Sequence, residues 1–134
     1  MFGSLDISTS ALEAHRTRLN VISSNLANQH TMFDAEGNFA PYRRRIAVLG
    51  AGDGQGQDMG VHVSQIMQDD APFKRIHVGV DHPLADDEGY MHAPNVEPTI
   101  ELINALEASR AYEANITAAE TTKTMLNSAL RLIA

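Results

Sequence analysis

Apolar residues recur every seven positions near both ends of the chain. The first series comprises Leu5, Leu12, Leu19 and Leu26. The second comprises Ala105, Tyr112, Ala119, Leu126 and Ile133. Residues with this spacing lie along one side of a helix, and that side must be covered by another helix. The pattern therefore predicts two long amphipathic helices that pair with each other or with neighbouring chains.

The first helix is expected to begin between Leu5 and Ser10, because Ser10 and the glutamate three residues later have the spacing of a capping box. We expect it to run to about Ala27. Asn25 and Asn28 are candidate stop residues, since asparagine tolerates the left-handed backbone conformation found at helix ends.

The second helix is expected to run from near Pro98 to about Ile133, because proline suits the first turn of a helix. Leu102, Ile116 and Leu130 form a partial second apolar line along it. Much of its remaining surface is asparagine, serine and threonine, whose small polar side chains can hydrogen-bond across an interface or face water.

Residues 29–95 have a different pattern, in which apolar residues alternate with polar ones and glycine and proline are frequent. Alternation predicts short strands. The apolar positions of three expected strands are Tyr42, Ile46 and Val48, then Val61 and Val63, then Ile76, Val78 and Val80. Five glycines between positions 50 and 60 predict a hairpin loop or mobile tip between the first two strands.

Together these patterns predict an α+β fold, with long N- and C-terminal helices paired as a coiled-coil-like layer and a small β-rich central insertion. The expected boundaries place the N-terminal helix in residues 1–30 and the C-terminal helix in residues 96–134. These two segments form one discontinuous helical domain, and residues 31–95 form the β-rich central region.

Charge and composition exclude several classes of protein. The net charge of −7 disfavours a general nucleic-acid binder, which needs a basic surface to displace counterions from phosphates. The chain has no cysteine, so neither disulfides nor cysteine-bound zinc can brace it. No segment approaches the length of about 20 apolar residues that a transmembrane helix needs. The first ten residues do not resemble a cleaved signal peptide.

Motifs for catalysis or metal binding are weak. Four histidines cluster in the central region without the short fixed spacing of zinc ligands, namely His62, His77, His82 and His92. The chain has no GxSxG turn, and its glycine-rich segment lacks the GK[ST] ending of a phosphate-binding loop. We therefore predict no enzyme activity, no catalytic, cofactor-binding or metal-binding residues, and no cofactor.

Three consecutive arginines, Arg43, Arg44 and Arg45, could bind an anionic partner. In a strand, Arg43 and Arg45 would share one face and Arg44 would lie on the other, so the three would not act as one cluster. Solvation or ion pairing between subunits is favoured over a dedicated ligand site.

Several segments resemble the rod proteins of the bacterial flagellar basal body. One is Ser23-Ser24-Asn25-Leu26-Ala27-Asn28, which is followed by Thr31. Another is Ala108-Ser109-Arg110-Ala111-Tyr112-Glu113-Ala114-Asn115. Three further segments resemble the proximal-rod members of this family. They are Pro41-Tyr42-Arg43-Arg44-Arg45, His82-Pro83-Leu84-Ala85-Asp86-Asp87-Glu88-Gly89-Tyr90 and Ala93-Pro94-Asn95-Val96. The chain departs from the family pattern at Met32-Phe33-Asp34 and between Gln68 and Val80.

The resemblance implies a structural subunit of the proximal rod, the axial drive shaft that transmits torque and surrounds the export channel. Its implied location is the periplasmic rod of the flagellar basal body, reached by flagellar type III export without a cleaved signal peptide. Implied partners are other rod subunits, further copies of itself, a rod-to-rotor junction protein and the flagellar export apparatus, with no nucleic acid and no direct transmembrane span. The alternative is a helical adaptor or export chaperone of the flagellar assembly system.

An assembly interface is expected on both helices. Its candidate residues on the first helix and its end are Leu5, Leu12, Leu19, Ile22, Asn25, Leu26 and Asn28. Those on the second helix are Ala105, Arg110, Tyr112, Ile116, Ala119, Leu126, Leu130 and Ile133.

Overall fold

Two long helices flank a small β region in a computed structural model of the chain, which describes residues 2–54, 56 and 59–134. The elements in chain order are α1 (Phe2–Ala27), β1 (Arg45–Ala51), β2 (Val61–Gln68), β3 (Lys74–His77), β4 (Tyr90–Ala93) and α2 (Pro98–Ile133). The predicted α+β class with terminal helices around a β-rich centre is confirmed. No described helix is long and apolar enough to cross a bilayer.

Helix α1 begins at Phe2, so its predicted start between Leu5 and Ser10 is wrong. The hydroxyl of Ser10 donates to the carbonyl oxygen of Ile7 at 2.7 Å, and that of Thr9 donates to Leu5 at 2.9 Å. Both side chains therefore bond backward inside the helix instead of capping its first N–H groups.

The other helix ends agree with the sequence, but only glycines among the described residues have positive φ, so neither Asn25 nor Asn28 adopts the expected left-handed backbone. At the end of α1, the carbonyl of Ser24 accepts from both the side-chain amide and the backbone N–H of Asn28, at 2.8 and 3.1 Å. Pro98 occupies the first turn of α2, and this helix ends at Ile133.

The central region forms two separate two-stranded antiparallel sheets. The first pairs β1 with β2 from Arg45 opposite Gln68 to Ala51 opposite Val61. The second pairs β3 with β4 from Lys74 opposite Ala93 to His77 opposite Tyr90.

Three details of the strand prediction are wrong. Tyr42 lies outside the first strand, because β1 begins at Arg45. Strand β3 stops at His77 because the backbone N–H groups of Val78 and Gly79 both donate to the carbonyl of Gly89, so Val78 and Val80 lie in the following loop. Strand β4 was not predicted, since its four residues are too few to show an alternating pattern.

The glycine-rich segment joins β1 to β2 and packs against α1. Gln55, Gln57 and Asp58 of the predicted loop lie outside the described residues. Gly60 has φ +95°, and a Cβ at this position would lie 2.7 Å from the Ser10 hydroxyl of α1. The N–H of the next residue, Val61, donates to that hydroxyl at 3.1 Å. Glycine is therefore required here by both the backbone conformation and the close approach of the helix.

The two helices pack side by side in opposite directions. Arg18 of α1 lies 3.4 Å from Glu107 of α2, and Asn25 lies 3.0 Å from Glu101, so later residues of α1 meet earlier residues of α2. Extending this register places the start of α1 level with about residue 123 of α2. The last turns of α2 therefore project beyond the described part of α1.

The most buried positions of α1 are not its leucines. The leucine series is half-buried. The buried residues of the helix are Ser8, Ala11, Ala14, Val21, Ile22 and Asn25. Small side chains among them allow a close approach of the packed side.

Candidate assembly site

A buried polar junction ties the end of α1 to the start of α2. Asn25 and Glu101, which lie on these two helices, are both almost fully buried. The Asn25 amide donates to the carboxylate of Glu101 at 3.0 Å and to the backbone carbonyl of Arg45 at 2.8 Å. Its carbonyl oxygen accepts from the hydroxyl of Tyr42 and the backbone N–H of Arg45. The hydrogen-bonding capacity of Asn25 is therefore fully used.

Arg44 supplies the countercharge for the buried carboxylate. Its Nε donates to Glu101 at 2.6 Å, and a terminal nitrogen donates to Asp69 at 3.1 Å. Burial alone would lower the pKa of Arg44, but its hydrogen bonds to Glu101 and Asp69 outweigh this effect and raise the pKa. A buried carboxylate is tolerable only when it is paired and hydrogen-bonded in this way.

A second set of hydrogen bonds holds Arg44 in place. Its backbone N–H donates to the side-chain oxygen of Asn95, whose amide donates to the carbonyls of Asp69 and Ala71. The N–H of Ala71 is the strongest influence lowering the pKa of Asp69, against the opposing effect of burial, and Arg44 lowers it further. The junction therefore connects both helices to the central region through hydrogen-bonded polar groups and ion pairs.

The junction changes the interpretation of the arginine triplet. Arg44 was expected to be solvated or paired with another subunit, but it pairs inside its own chain. Arg43 also bonds internally, donating to the carbonyls of Asp69 and Ala71 at 2.9 and 3.0 Å. The side chain of Arg45 is directed to the surface and leaves only its backbone in the junction. The sequence gives no distinct signal for this arrangement, because an acid such as Glu101 is common in the first turn of a helix.

The packed side of the helix pair also contains a histidine with an unbonded nitrogen. The Nδ1 atom of His15 is buried and has no hydrogen-bond partner among the described residues. Burial, followed by the nearby Arg18, lowers the pKa of His15 from its ordinary 6.5, while Glu107 acts in the opposite direction. The lowered pKa favours the neutral form of the imidazole at pH 7.

The candidate interface residues fall into three groups. Ile22 and Asn25 are buried within the single chain. Half-buried residues are Leu5, Leu12, Leu19, Leu26, Asn28, Ala105, Tyr112, Ala119 and Leu126. Exposed residues are Arg110, Ile116, Leu130 and Ile133. The role of these residues in assembly stays a prediction.

Exposed apolar residues on α2 were only partly anticipated. They form two groups, here together called the apolar face of α2, which point in different directions around the helix axis. The first group, near the start of the helix, comprises Ile100, Leu102, Ile103 and Leu106, and the second, near the end, comprises Met125, Leu130, Leu132 and Ile133. Single exposed apolar residues are ordinary, but contiguous groups of them mark surfaces that bind other proteins. Within the described ranges, no three histidine or acidic side chains converge to hold a metal ion.

Comparison with known proteins assigns both ends of the chain to one class. Residues 5–31 match the family model described as flagella basal body rod protein. Residues 87–132 match the model described as flagellar basal body rod FlgEFG protein C-terminal. The matched segments contain most of α1, part of the central region and nearly all of α2, which are the elements that the polar junction joins.

Similar full-length proteins give a narrower assignment. The chain is 40% identical to the flagellar basal-body rod protein FlgC of Bacillus subtilis (strain 168), over 98% of this chain and 97% of the relative. It is 41% identical to that of Yersinia enterocolitica over 95% and 93%, and 35% identical to that of Aquifex aeolicus (strain VF5) over 92% and 90%. The chain therefore belongs to the flagellar basal-body rod protein family and, within it, to the FlgC proteins. It is a structural rod subunit.

Proposed function

We propose that this subunit assembles through its helix pair into the axial part of the proximal rod, against further copies of itself and other rod subunits. The observation that carries the proposal is the exposed apolar face of α2. Leu106 is 60% exposed and Ile133 is 83% exposed, although both belong to a helix that the family shares. Neighbouring subunits would remove this surface from water and so supply most of the free energy of assembly.

The two-part plan of the chain supports an inner and an outer region. In this proposal, residues 1–30 and 96–134 form the inner helical layer around the export channel, and residues 31–95 form the outer region. Ten of the 17 acidic residues of the chain lie between positions 31 and 95. A concentration of charge favours contact with water, whereas the apolar face of α2 favours contact with protein.

Transmission of torque requires that each subunit move as a rigid unit. The polar junction meets this need, because it links both helices to the central region through the buried Glu101 and Arg44. The proposal further includes a periplasmic location, delivery by the flagellar export apparatus without a cleaved signal peptide, and contact with a rod-to-rotor junction protein. These parts rest on membership of the rod family.

Amide hydrogen exchange of the free subunit tests whether assembly completes the fold. The only fully buried side chains of α2 are Glu101 and Ala108, so its second half has little to hold it in isolation. We expect amides of residues 116–133 to exchange at least tenfold faster than those of residues 101–112 in the free subunit. In assembled rods both segments should be protected. Equal protection of the two segments in the free subunit would count against assembly-coupled ordering of α2.

A further inference from the structure

An open cleft rich in aromatic side chains lies beside the end of α1. Its volume is about 450 Å³, and its walls include Phe33, Tyr42, Phe73, Arg43 and Arg45. Phe33 is 50% exposed, although its ring packs edge-on against that of Phe39 with the centroids 6.1 Å apart. Aromatic rings and arginines are the residue types that concentrate in the energetically important centres of protein interfaces.

The two arginines of the cleft have aromatic neighbours and form no ion pair in the described part of the chain, although Asp34 also lines the cleft and Arg43 is among the charges that lower the pKa of Asp69. The guanidinium carbon of Arg43 lies 4.2 Å from the centroid of the Phe73 ring, and that of Arg45 lies 5.9 Å from the Tyr42 centroid. Among the described residues, no carboxylate oxygen lies within 4.0 Å of either guanidinium, whereas the adjacent Arg44 contacts two carboxylates. The cleft therefore suits an occupant that combines an apolar side chain with negative charge.

The chain itself presents a segment of this chemistry. Residues 78–89, here called the acidic finger, connect β3 to β4 and contain Asp81, Asp86, Asp87 and Glu88. Arg75 pairs with Asp86 at 3.3 Å and with Glu88 at 2.9 Å. In the described part of the chain, Asp81 and Asp87 have no such partner. Val80, next to Asp81, is 67% exposed.

The acidic finger has a fixed shape before any contact is made. The carboxylate of Asp86 accepts from the backbone N–H groups of Glu88 and Tyr90 at 3.0 and 2.8 Å. Gly89 has φ +82°, and a Cβ there would lie 3.0 Å from the backbone nitrogen of Val80. A segment held in this way loses little conformational entropy on binding.

The acidic finger lies away from the cleft of its own chain. Phe73 precedes β3, whereas the finger follows it, so the two lie at opposite ends of a four-residue strand about 13 Å long. We propose that the acidic finger of a second copy of this chain docks in the cleft, with Val80 against the aromatic rings and Asp81 and Asp87 facing Arg45 and Arg43. This inference rests on the proposed function, in which copies of the subunit touch. The contact joins two different surfaces, so it can be repeated from copy to copy.

Charge-exchange variants of the whole chain test this contact by sedimentation velocity. Arg45→Glu alters the cleft, and Asp81→Lys alters the finger at the acid that is proposed to face Arg45. The wild-type chain should form a concentration-dependent series of oligomers at concentrations up to about 1 mM. Either variant alone should associate at least tenfold more weakly, because like charges then face each other. An equal mixture of the two, or both substitutions in one chain, should restore association. Asp6→Lys, which changes the charge on α1 by the same amount as Asp81→Lys, should have no effect.

The possible results separate this inference from the proposed function. A wild-type chain that stays monomeric throughout this range overturns the finger contact. Association that is unchanged in Arg45→Glu also overturns it, while leaving assembly through α2 intact. If Arg45→Glu weakens binding of a different rod protein but not self-association, the cleft accepts that protein and the second-copy contact is wrong.

Discussion

Replacing Glu101 with alanine is expected to lower the free energy of unfolding by about 2–4 kcal/mol, because it leaves the buried amide of Asn25 without one acceptor and removes one of the two carboxylates that pair with Arg44. The substitution removes the acceptor of both Asn25 and Arg44. A loss of this size is a large part of the stability of a chain of this length. Denaturant unfolding, followed by circular dichroism in the free subunit, gives the measurement.

Glu113→Ala is the matched control for this prediction. It removes an exposed carboxylate from the same helix and should change stability by no more than about 0.5 kcal/mol. Glu101→Gln keeps the shape of the side chain and loses the charge. Its loss in free energy of unfolding should therefore lie between those of Glu101→Ala and Glu113→Ala. If Glu101→Ala is no more destabilising than Glu113→Ala, the junction does not stabilise the fold.

Replacing Leu106 with aspartate is expected to prevent assembly without unfolding the subunit. Leu106 lies beside Leu102 and Ile103 on the exposed face of α2, so the free chain already leaves it in water. Between subunits, an aspartate at this position would bury an unpaired charge. We expect association to weaken by at least about thirtyfold, the effect of losing an important interface residue.

Cells that depend on this variant should be non-motile and should lack rods beyond the point at which the subunit is added. Circular dichroism of the purified variant should match that of the wild type. Gln65→Asp, which introduces the same charge at an exposed position of β2, is the control and should support motility. Normal motility with Leu106→Asp would exclude the start of α2 from the assembly interface.

Periodicity predicted the elements whose burial pattern extends over several turns. The seven-residue spacing identified both helices, and Pro98 identified the start of α2. The same spacing put the leucines of α1 at the centre of the packed side, whereas the alanines Ala11 and Ala14 lie there. Periodicity shows which side of a helix is covered by protein. The sizes of the side chains on the partner helix decide which row of residues on that side is most buried.

The polar junction could not be predicted by such reasoning. Asn25 and Glu101 are 76 positions apart, and each has a common local explanation, as a helix stop and as an acid in a first helical turn. Arg44 matched an alternating strand pattern, but β1 begins one residue later, at Arg45. Contacts of this kind depend on how distant elements pack, which local patterns do not encode.

The central claim is that the apolar face of α2 becomes buried between subunits in the rod. The chain has no native cysteine, so single substitutions provide unique labelling sites. Ile103→Cys and Leu130→Cys report on the first and second groups of exposed apolar residues on α2, and Gln65→Cys on an exposed position of β2 provides the control.

The rate of maleimide labelling in the free subunit and in isolated basal bodies tests this claim most directly. The account predicts rapid labelling of all three cysteines in the free subunit. In basal bodies, it predicts strong protection of Ile103→Cys and Leu130→Cys but continued labelling of Gln65→Cys. Labelling of both α2 cysteines in basal bodies as rapid as in the free subunit would contradict the account.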